Sequence, residues 1–451
     1  MKEGGKENQW VSFVGVVLLA LILPGMLRLM NTVTRNLVGA EGRLAAINID
    51  TDRTLGPLQK NWSALSQGGN NLRSFMDYSA ESLAEIKPEY VRIDNVYDEF
   101  SVVKRDVNSN IYYDWSDLDT LVKKILAVGA KPFFSLSYMP KELAVNGDAL
   151  AEPQNWSEWT TLVQKTVEHY SGDMAIDNVY YEIWNEPDLF GKWTLGGKKD
   201  YQDLYTFGVR GAQQANGVKP FKIGGAAVSE LDRSWTDKFF PFILQNKLRL
   251  DFFSWHRYGQ DLTAYAEDIN NVEKWFNKLS YFAQTEEIIS ESGPSREAGG
   301  VNDTETGAAH LVAVARELLP KVKYGFNSEI WGDKGITGKP RQKALVMLAG
   351  LGENRLPITG EGTWVKAIAT NKGQGYQVVL VNYDEKSAHN ESVPVTFLSL
   401  KDRIYTLTSE TLDGKKTTDT IATSEAKLQI TIPMPANSVV RIELQPVTQT
   451  N

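Results

Sequence analysis

Two glutamates stand where apolar runs end. Glu186 closes Tyr180-Tyr181-Glu182-Ile183-Trp184-Asn185-Glu186-Pro187, and Glu291 closes Ile288-Ile289-Ser290-Glu291-Ser292-Gly293-Pro294. In both, a strand-like segment runs into a carboxylate and is then broken by a proline, which cannot donate to a sheet. Each glutamate is therefore expected at the C-terminal rim of a strand. Such a pair suits glycosidic cleavage. One carboxylic acid protonates the leaving oxygen, and a second, ionised carboxylate meets the oxocarbenium-like centre. A separation of roughly 5–5.5 Å implies retention through a covalent glycosyl-enzyme. Mutual repulsion and partial burial are expected to raise the pKa of the acid toward working pH.

Rival carboxylates exist. These are Glu286, Glu287 and Glu329: Glu287 precedes the apolar pair Ile288-Ile289 and belongs to the wrong end of that strand, while Glu329 comes from a later strand and could be a supporting residue. Arg92 and Glu182 lie within strand-like runs, where a lone charge is costly to bury. They form either the polar base of the site, with Arg92 near Glu291, or a purely structural ion pair. His256 is either a site residue or a satisfied core histidine. Tyr138, Phe190 and Trp193 are candidate sugar platforms on loops, the alternative being plain packing.

The elements that must position these residues follow from periodicity. Eight short β-branched or aromatic runs begin at 44–49, 90–94, 131–137, 178–185, 221–228, 250–256, 286–291 and 323–331, with helical periodicity between them. One helix is expected from Ser116 to Val128, closed by Gly129, and another from Ser157 to Tyr170 with Ser157 as N-cap. Alternating strands and helices mean parallel strands with crossovers. An open doubly wound sheet gives the same pattern. Polar and aromatic residues gather at the C-terminal ends of the runs, and this favours an α/β fold of the (β/α)₈ TIM-barrel type over residues 44–351. After residue 352 only alternating runs and turns remain, so residues 352–447 read as an antiparallel β-sandwich. The apolar stretch Trp10–Leu27 is about long enough to span a bilayer, so residues 1–30 read as a transmembrane signal anchor or a cleaved signal peptide, with residues 31–43 as linker. Either places the rest of the chain outside the cytoplasm, the anchor holding it at the membrane.

Composition removes several classes. The 451 residues carry a net charge of −8 and show no Lys/Arg cluster, which argues against nucleic acid as a partner. There is no cysteine, so disulfides and thiolate chemistry are excluded, and the four histidines form no paired metal-ligand motif. No metal or other cofactor is expected, since two carboxylates and water suffice for the reaction.

The segment Trp184-Asn185-Glu186-Pro187 at the end of a fourth strand resembles the signature of clan A glycoside hydrolases. The resemblance narrows to glycoside hydrolase family 39, which includes β-xylosidases, α-L-iduronidases and exopolysaccharide glycosidases. It is carried by Glu89-Tyr90-Val91-Arg92, Lys131-Pro132-Phe133-Phe134 through Ser137-Tyr138-Met139-Pro140, Tyr181 through Leu189, and Phe252-Phe253-Ser254-Trp255-His256-Arg257-Tyr258. It implies a carbohydrate substrate, Glu186 as acid/base, Glu291 as nucleophile, and Asn185 bonded to the sugar 2-hydroxyl. It also implies that Tyr258, of the His256-x-Tyr258 pair, orients the nucleophile and that Trp331 floors the subsite of the reacting sugar. Two stretches depart from the pattern. Arg92-Ile93-Asp94-Asn95 stands where xylosidase-like members usually carry a histidine, and Ser290-Glu291-Ser292 lacks the aromatic that often follows the glutamate. Both departures bear on sugar recognition. The rival readings are a non-catalytic carbohydrate-binding scaffold on the same barrel and an endo-glycanase of another clan A family.

Overall fold

The computed structural model describes residues 42–447 apart from residues 277 and 424. Eight parallel strands close a barrel: β1 (Ala64–Gln67), β2 (Tyr90–Ile93), β3 (Lys131–Leu136), β4 (Val179–Ile183), β5 (Phe221–Val228), β6 (Phe252–Tyr258), β7 (Glu286–Gly293) and β8 (Tyr324–Ser328). Each is followed by a helix on the outside: α1 (Phe75–Ile86), α2 (Ser116–Ala127), α3 (Trp156–Val167), α4 (Tyr201–Gln214), α5 (Arg233–Asn246), α6 (Leu262–Phe276), α7 (Glu305–Leu318) and α8 (Pro340–Ala349). The expected barrel is present, and the open sheet is not.

The helices form where one apolar face meets the strands. α2 buries Leu118, Leu121, Val122 and Ile125, spaced at i, i+3, i+4 and i+7. Gly129 follows it at φ +83°, the left-handed conformation that ends many helices. α3 starts one residue earlier than expected. Asn155, not Ser157, is the cap, and its side chain accepts the Ser157 amide.

One strand assignment is corrected. Residues 44–49 were expected to open the barrel, but Ile47–Asp50 pairs in parallel with Glu391–Leu398 and antiparallel with Ile358–Thr359, outside the barrel. The reason is the burial pattern. Ile47 and Ile49 are buried while Asn48 and Asp50 are half-buried, which suits a sheet with one covered face. The true first strand, Ala-Leu-Ser-Gln at 64–67, is buried at every position, as a strand between barrel interior and helices must be.

The sandwich packs a four-stranded sheet, which contains Ile47–Asp50, against a six-stranded antiparallel sheet built from residues 354–446. The chain thus starts in the sandwich, passes through the barrel and returns. The sandwich core is its own cluster around Ile47, Val378, Leu380, Val395, Phe397 and Ile442. It docks on the barrel through α7, where Arg316 holds Glu361 with two hydrogen bonds of 2.9 and 2.7 Å.

Inside the barrel, side chains alternate by strand parity. Tyr90, Phe133, Tyr180, Phe252, Ile288, Tyr324 and Phe326 form an aromatic plug, with Phe133 stacked on Tyr180 at 5.2 Å. The next inward residues, toward the C-terminal ends, are polar. No helix among the described residues is long and apolar enough to cross a membrane. The stretch Trp10–Leu27, where an N-terminal helix is expected, lies outside the described residues.

Candidate active site

Arg92 is the hub of the polar layer above the plug. It is fully buried. Its guanidinium meets Glu182 on β4 at 2.8 Å, Asn185 Oδ1 at 2.8 Å and Glu291 Oε1 at 2.8 Å. Ser66 Oγ on β1 accepts a longer bond of 3.3 Å. A planar cation with several fixed donors can hold partners from different strands at set angles, which an ammonium could not do. Burial pulls the guanidinium pKa down, and Glu182, Glu291 and Asp94 pull it up further, with a net upward shift. The ion pair suggested by the sequence is therefore real, and it reaches the candidate nucleophile as well.

Glu186 sits just past β4. Trp184 and Glu186 have φ of +73° and +43°, left-handed conformations that cost a non-glycine residue energy and recur at functional sites. The Glu186 amide is anchored to the Ala227 carbonyl at 2.9 Å. Its carboxylate is nearly fully buried, and Oε1 lies 2.8 Å from His256 Nδ1 and 2.8 Å from Arg296 Nη1. Burial pushes this carboxyl up, but His256 and Arg296 outweigh burial and hold it at about 2. This reverses the expectation of a raised acid pKa. That expectation counted burial and Glu291, and it missed the arginine.

Glu291 faces the same space through a β-bulge. Ile288 points into the plug and Ile289 points out to the helices, so strict alternation would turn Glu291 outward. The register with β6 slips here: Ile289 pairs with Trp255, and Glu291 pairs with the very next residue, His256. The extra residue swings Glu291 inward. There its Oε1 accepts from Arg92 and its Oε2 accepts from the Tyr258 hydroxyl at 2.8 Å. One oxygen from each of Glu186 and Glu291 and a ring nitrogen of His256 all lie within 4.8 Å of one another. A metal ion in this cluster would face two guanidinium groups already bonded to the same carboxylates.

Other expected site residues divide. Asn185 is in place: it accepts from Arg92 and donates to the Tyr138 hydroxyl at 3.1 Å. His256 and Tyr258 are in place, one on each glutamate. Tyr138 reaches the site by its hydroxyl, and its ring packs against Trp184 and Phe190, so it is a hydrogen-bonding group and not an open platform. Phe190 is 38% exposed beside Glu186 and remains a candidate platform. Trp193 does not. It is 2% exposed, its ring meets Trp184 edge-on, and Lys199 lies over it. The loop after β4 folds back on itself and takes this indole as its own core. Trp331 is half-buried and stacks on Tyr78 of α1 at 4.8 Å, so one face of its ring is already covered. Of the rival carboxylates, Glu287 is a half-buried acid far down β7, pushed up to about 8 by loss of solvent and by Glu273. Glu286 takes the Tyr180 hydroxyl at 2.6 Å from the plug. Glu329 adjoins Glu291 and Gln67 at the rim.

Arg296 was not recognisable in the sequence. It lies in the Pro-Ser-Arg-Glu-Ala-Gly-Gly loop after β7, which carries no periodic signal. Its guanidinium bonds Glu186 and the Ser229 carbonyl at 2.6 Å and lies 4.5 Å over the Tyr258 ring. The side chain is 37% exposed, so it can swing away when the cleft fills. Arg296→Met should therefore raise the Glu186 pKa in the empty enzyme. The alkaline limb of kcat/KM, which reports the free enzyme, then moves to higher pH. The stability sign is the usual one for a depressed carboxyl. The contribution is present above the ordinary value near 4.5, is lost as pH falls toward about 2, and shrinks in Arg296→Met. A pH–rate profile that does not move would show that Arg296 has no hold on Glu186.

Known proteins share this architecture. A β-xylosidase of Caldicellulosiruptor saccharolyticus is 24% identical over 246 residues, covering 51% of this chain and 49% of that protein. A β-xylosidase of Geobacillus stearothermophilus is 28% identical over 189 residues, covering 39% of this chain and 36% of that protein. The aligned part thus spans half or less of these relatives' length. Among solved structures, a monomeric β-xylosidase from Caulobacter crescentus superposes with a TM-score of 0.75 at 20% identity, covering 90% of this chain and 100% of that one. A GH39 enzyme from Xanthomonas axonopodis pv. citri superposes with a TM-score of 0.73 at 17% identity, covering 91% and 99%. These superpositions establish the shared fold. The sequence model of glycosyl hydrolases family 39 matches residues 45–297, more than half of the chain, and the protein belongs to that family.

Proposed function

We propose that this chain is a retaining O-glycoside hydrolase that cleaves a poly- or oligosaccharide by double displacement. The observation that carries the reading is the pair of inward carboxylates with opposed settings, within 4.8 Å of each other. Glu291 is held by Arg92 and Tyr258 in one orientation, as an attacking oxygen should be. Glu186 touches the buried His256 and the partly exposed Arg296, and the arginine has room to move aside, as the partner of a group that must gain and lose a proton should.

In the first step Glu186 gives its proton to the glycosidic oxygen while the bond from that oxygen to the anomeric carbon breaks and a Glu291 oxygen bonds that carbon. In the second, Glu186 takes a proton from water, the water oxygen bonds the anomeric carbon, and the ester bond to Glu291 breaks. Filling the cleft must loosen Arg296 from Glu186 for the first step. The β-xylosidases among its relatives make a β-xyloside the first substrate to try.

The test is covalent. An activated 2-deoxy-2-fluoro-β-xyloside should inactivate the enzyme with one sugar attached to the peptide containing Glu291, and the first product seen by NMR should keep its anomeric configuration. Inverted product, or label on another residue, would sink the double displacement. The same reading puts the protein outside the cytoplasm, held by Trp10–Leu27. Its support is that apolar run flanked by Lys2, Lys6 and Arg28. Recovery of the full chain in a washed membrane fraction, and its loss on removing residues 1–30, checks this.

A further inference from the structure

Asp94 lies just past β2 and continues the inward series of Tyr90 and Arg92, with Val91 and Ile93 facing the helices. It is 7% exposed, and its Oδ1 is buried with no hydrogen-bond partner. A buried polar atom left unpaired is a standing cost to the fold. Such atoms persist where a ligand supplies the missing partner.

Every element around Asp94 contributes to its setting. Arg92 lies one inward position below it. Glu291 on β7, Glu329 after β8 and Asp98 after β2 all push on its charge. Tyr138, after β3, has its hydroxyl within the field of Asp94, Glu186 and Glu291. After β1 the chain passes so close that a methyl group on Gly68 would collide with both Asp94 oxygens, so glycine there leaves the carboxyl in place. Burial, and then those three carboxyls, raise the Asp94 carboxyl to about 8 against the pull of Arg92. The carboxyl is thus held toward its neutral, proton-donating form, and its buried Oδ1 remains an acceptor without a partner, in the field of Glu291.

We infer that Asp94 is a specificity residue, whose carboxyl group pairs with a hydroxyl of an uncharged sugar seated against Glu291, and that the ring of carboxyls around it rejects a sugar bearing a carboxylate. This rests on the glycosidase reading above. A sugar hydroxyl both gives and takes a hydrogen bond, which a neutral carboxylic acid matches and an apolar side chain does not. A carboxylate on the sugar would meet Glu291 and Glu329 at short range in a water-poor site, where like charges repel strongly.

The test is equilibrium binding, so that turnover does not enter. Hydrolysis-resistant p-nitrophenyl 1-thio-β-glycosides of xylose, glucose, galactose, mannose and glucuronic acid are titrated into the full protein by calorimetry between pH 6 and pH 9.5. For the best neutral ligand, Asp94→Leu should bind about 10- to 100-fold more weakly at pH 6. Wild type should lose about tenfold in affinity as pH rises past 8, and Asp94→Asn, which keeps a donor and cannot ionise, should stay flat. The glucuronide should bind more weakly than the neutral glycosides. Asp94→Leu should melt no lower than wild type, since it replaces an unpartnered carboxyl, and this separates a binding role from a structural one.

Equal affinity of wild type and Asp94→Leu overturns the inference. So does the same pH slope in Asp94→Asn, tightest binding by the glucuronide, or no binding by any of the five. The two readings fail separately. If wild type hydrolyses an O-glycoside and Asp94→Leu does so with unchanged KM, only Asp94 loses its role. If Glu186→Gln and Glu291→Gln turn over as wild type does, the glycosidase reading falls while the binding result stands.

Discussion

Glu291→Gln should lower turnover of the best aryl glycoside by roughly 10⁴-fold or more, because an amide cannot form the ester on which the proposed double displacement depends. Glu186→Gln should lose roughly 10²–10⁴-fold on a substrate with a poor leaving group. It should lose far less in the first step on a dinitrophenyl glycoside, whose oxygen leaves without protonation. The two variants thus separate by leaving group. Initial rates on a panel of aryl glycosides, from alkyl-like to dinitrophenyl, check this. Equal losses on every leaving group would mean that Glu186 does not act as the acid. Both variants should fold, since glutamine keeps the shape: at position 291 the amide oxygen can still accept from Arg92 while the amide NH2 donates to the Tyr258 hydroxyl oxygen.

The second large effect is on stability and activity together. Arg92→Met should destabilise the fold by about 3–5 kcal/mol, because it leaves Glu182 as a buried charge without its partner. Arg92 and Glu182 are both fully buried, so solvent cannot make up the loss. Activity should fall as well, since Asn185 and Glu291 lose the cation that fixes them. The double variant Arg92→Met/Glu182→Leu should recover most of the stability and none of the activity. Urea unfolding and kcat/KM on the same preparations separate the two effects. Full recovery of activity in the double variant would reduce Arg92 to a structural ion pair, the alternative that the sequence left open.

The sequence by itself determined much of this protein. Pro187 forbids the strand from running on past Glu186, so Glu186 had to stand at its rim or just beyond it. Strand parity from Tyr180 through Glu182 turned the polar residues inward. The spacing of Leu118, Leu121, Val122 and Ile125 required a helix whatever it packed against. These are local consequences of backbone chemistry and of a period of 2 or 3.6, and they need no knowledge of distant residues.

The tertiary structure decided the rest. Alternation from Ile288 alone points Glu291 outward. Only the slip of register against β6 turns it in, and register belongs to a pair of strands, not to one. Residues 44–49 look like a barrel strand because they form an apolar run ahead of the first helix, yet their half-covered pattern found its match more than 300 positions away, in Glu391–Leu398. Trp193 reads as an exposed loop aromatic until the loop closes over it. Arg296 has no pattern at all around it, and its grip on Glu186 spans 110 positions of chain. Charge pairs, bulges and loop cores are set by which surfaces meet, and a linear pattern carries no term for that meeting.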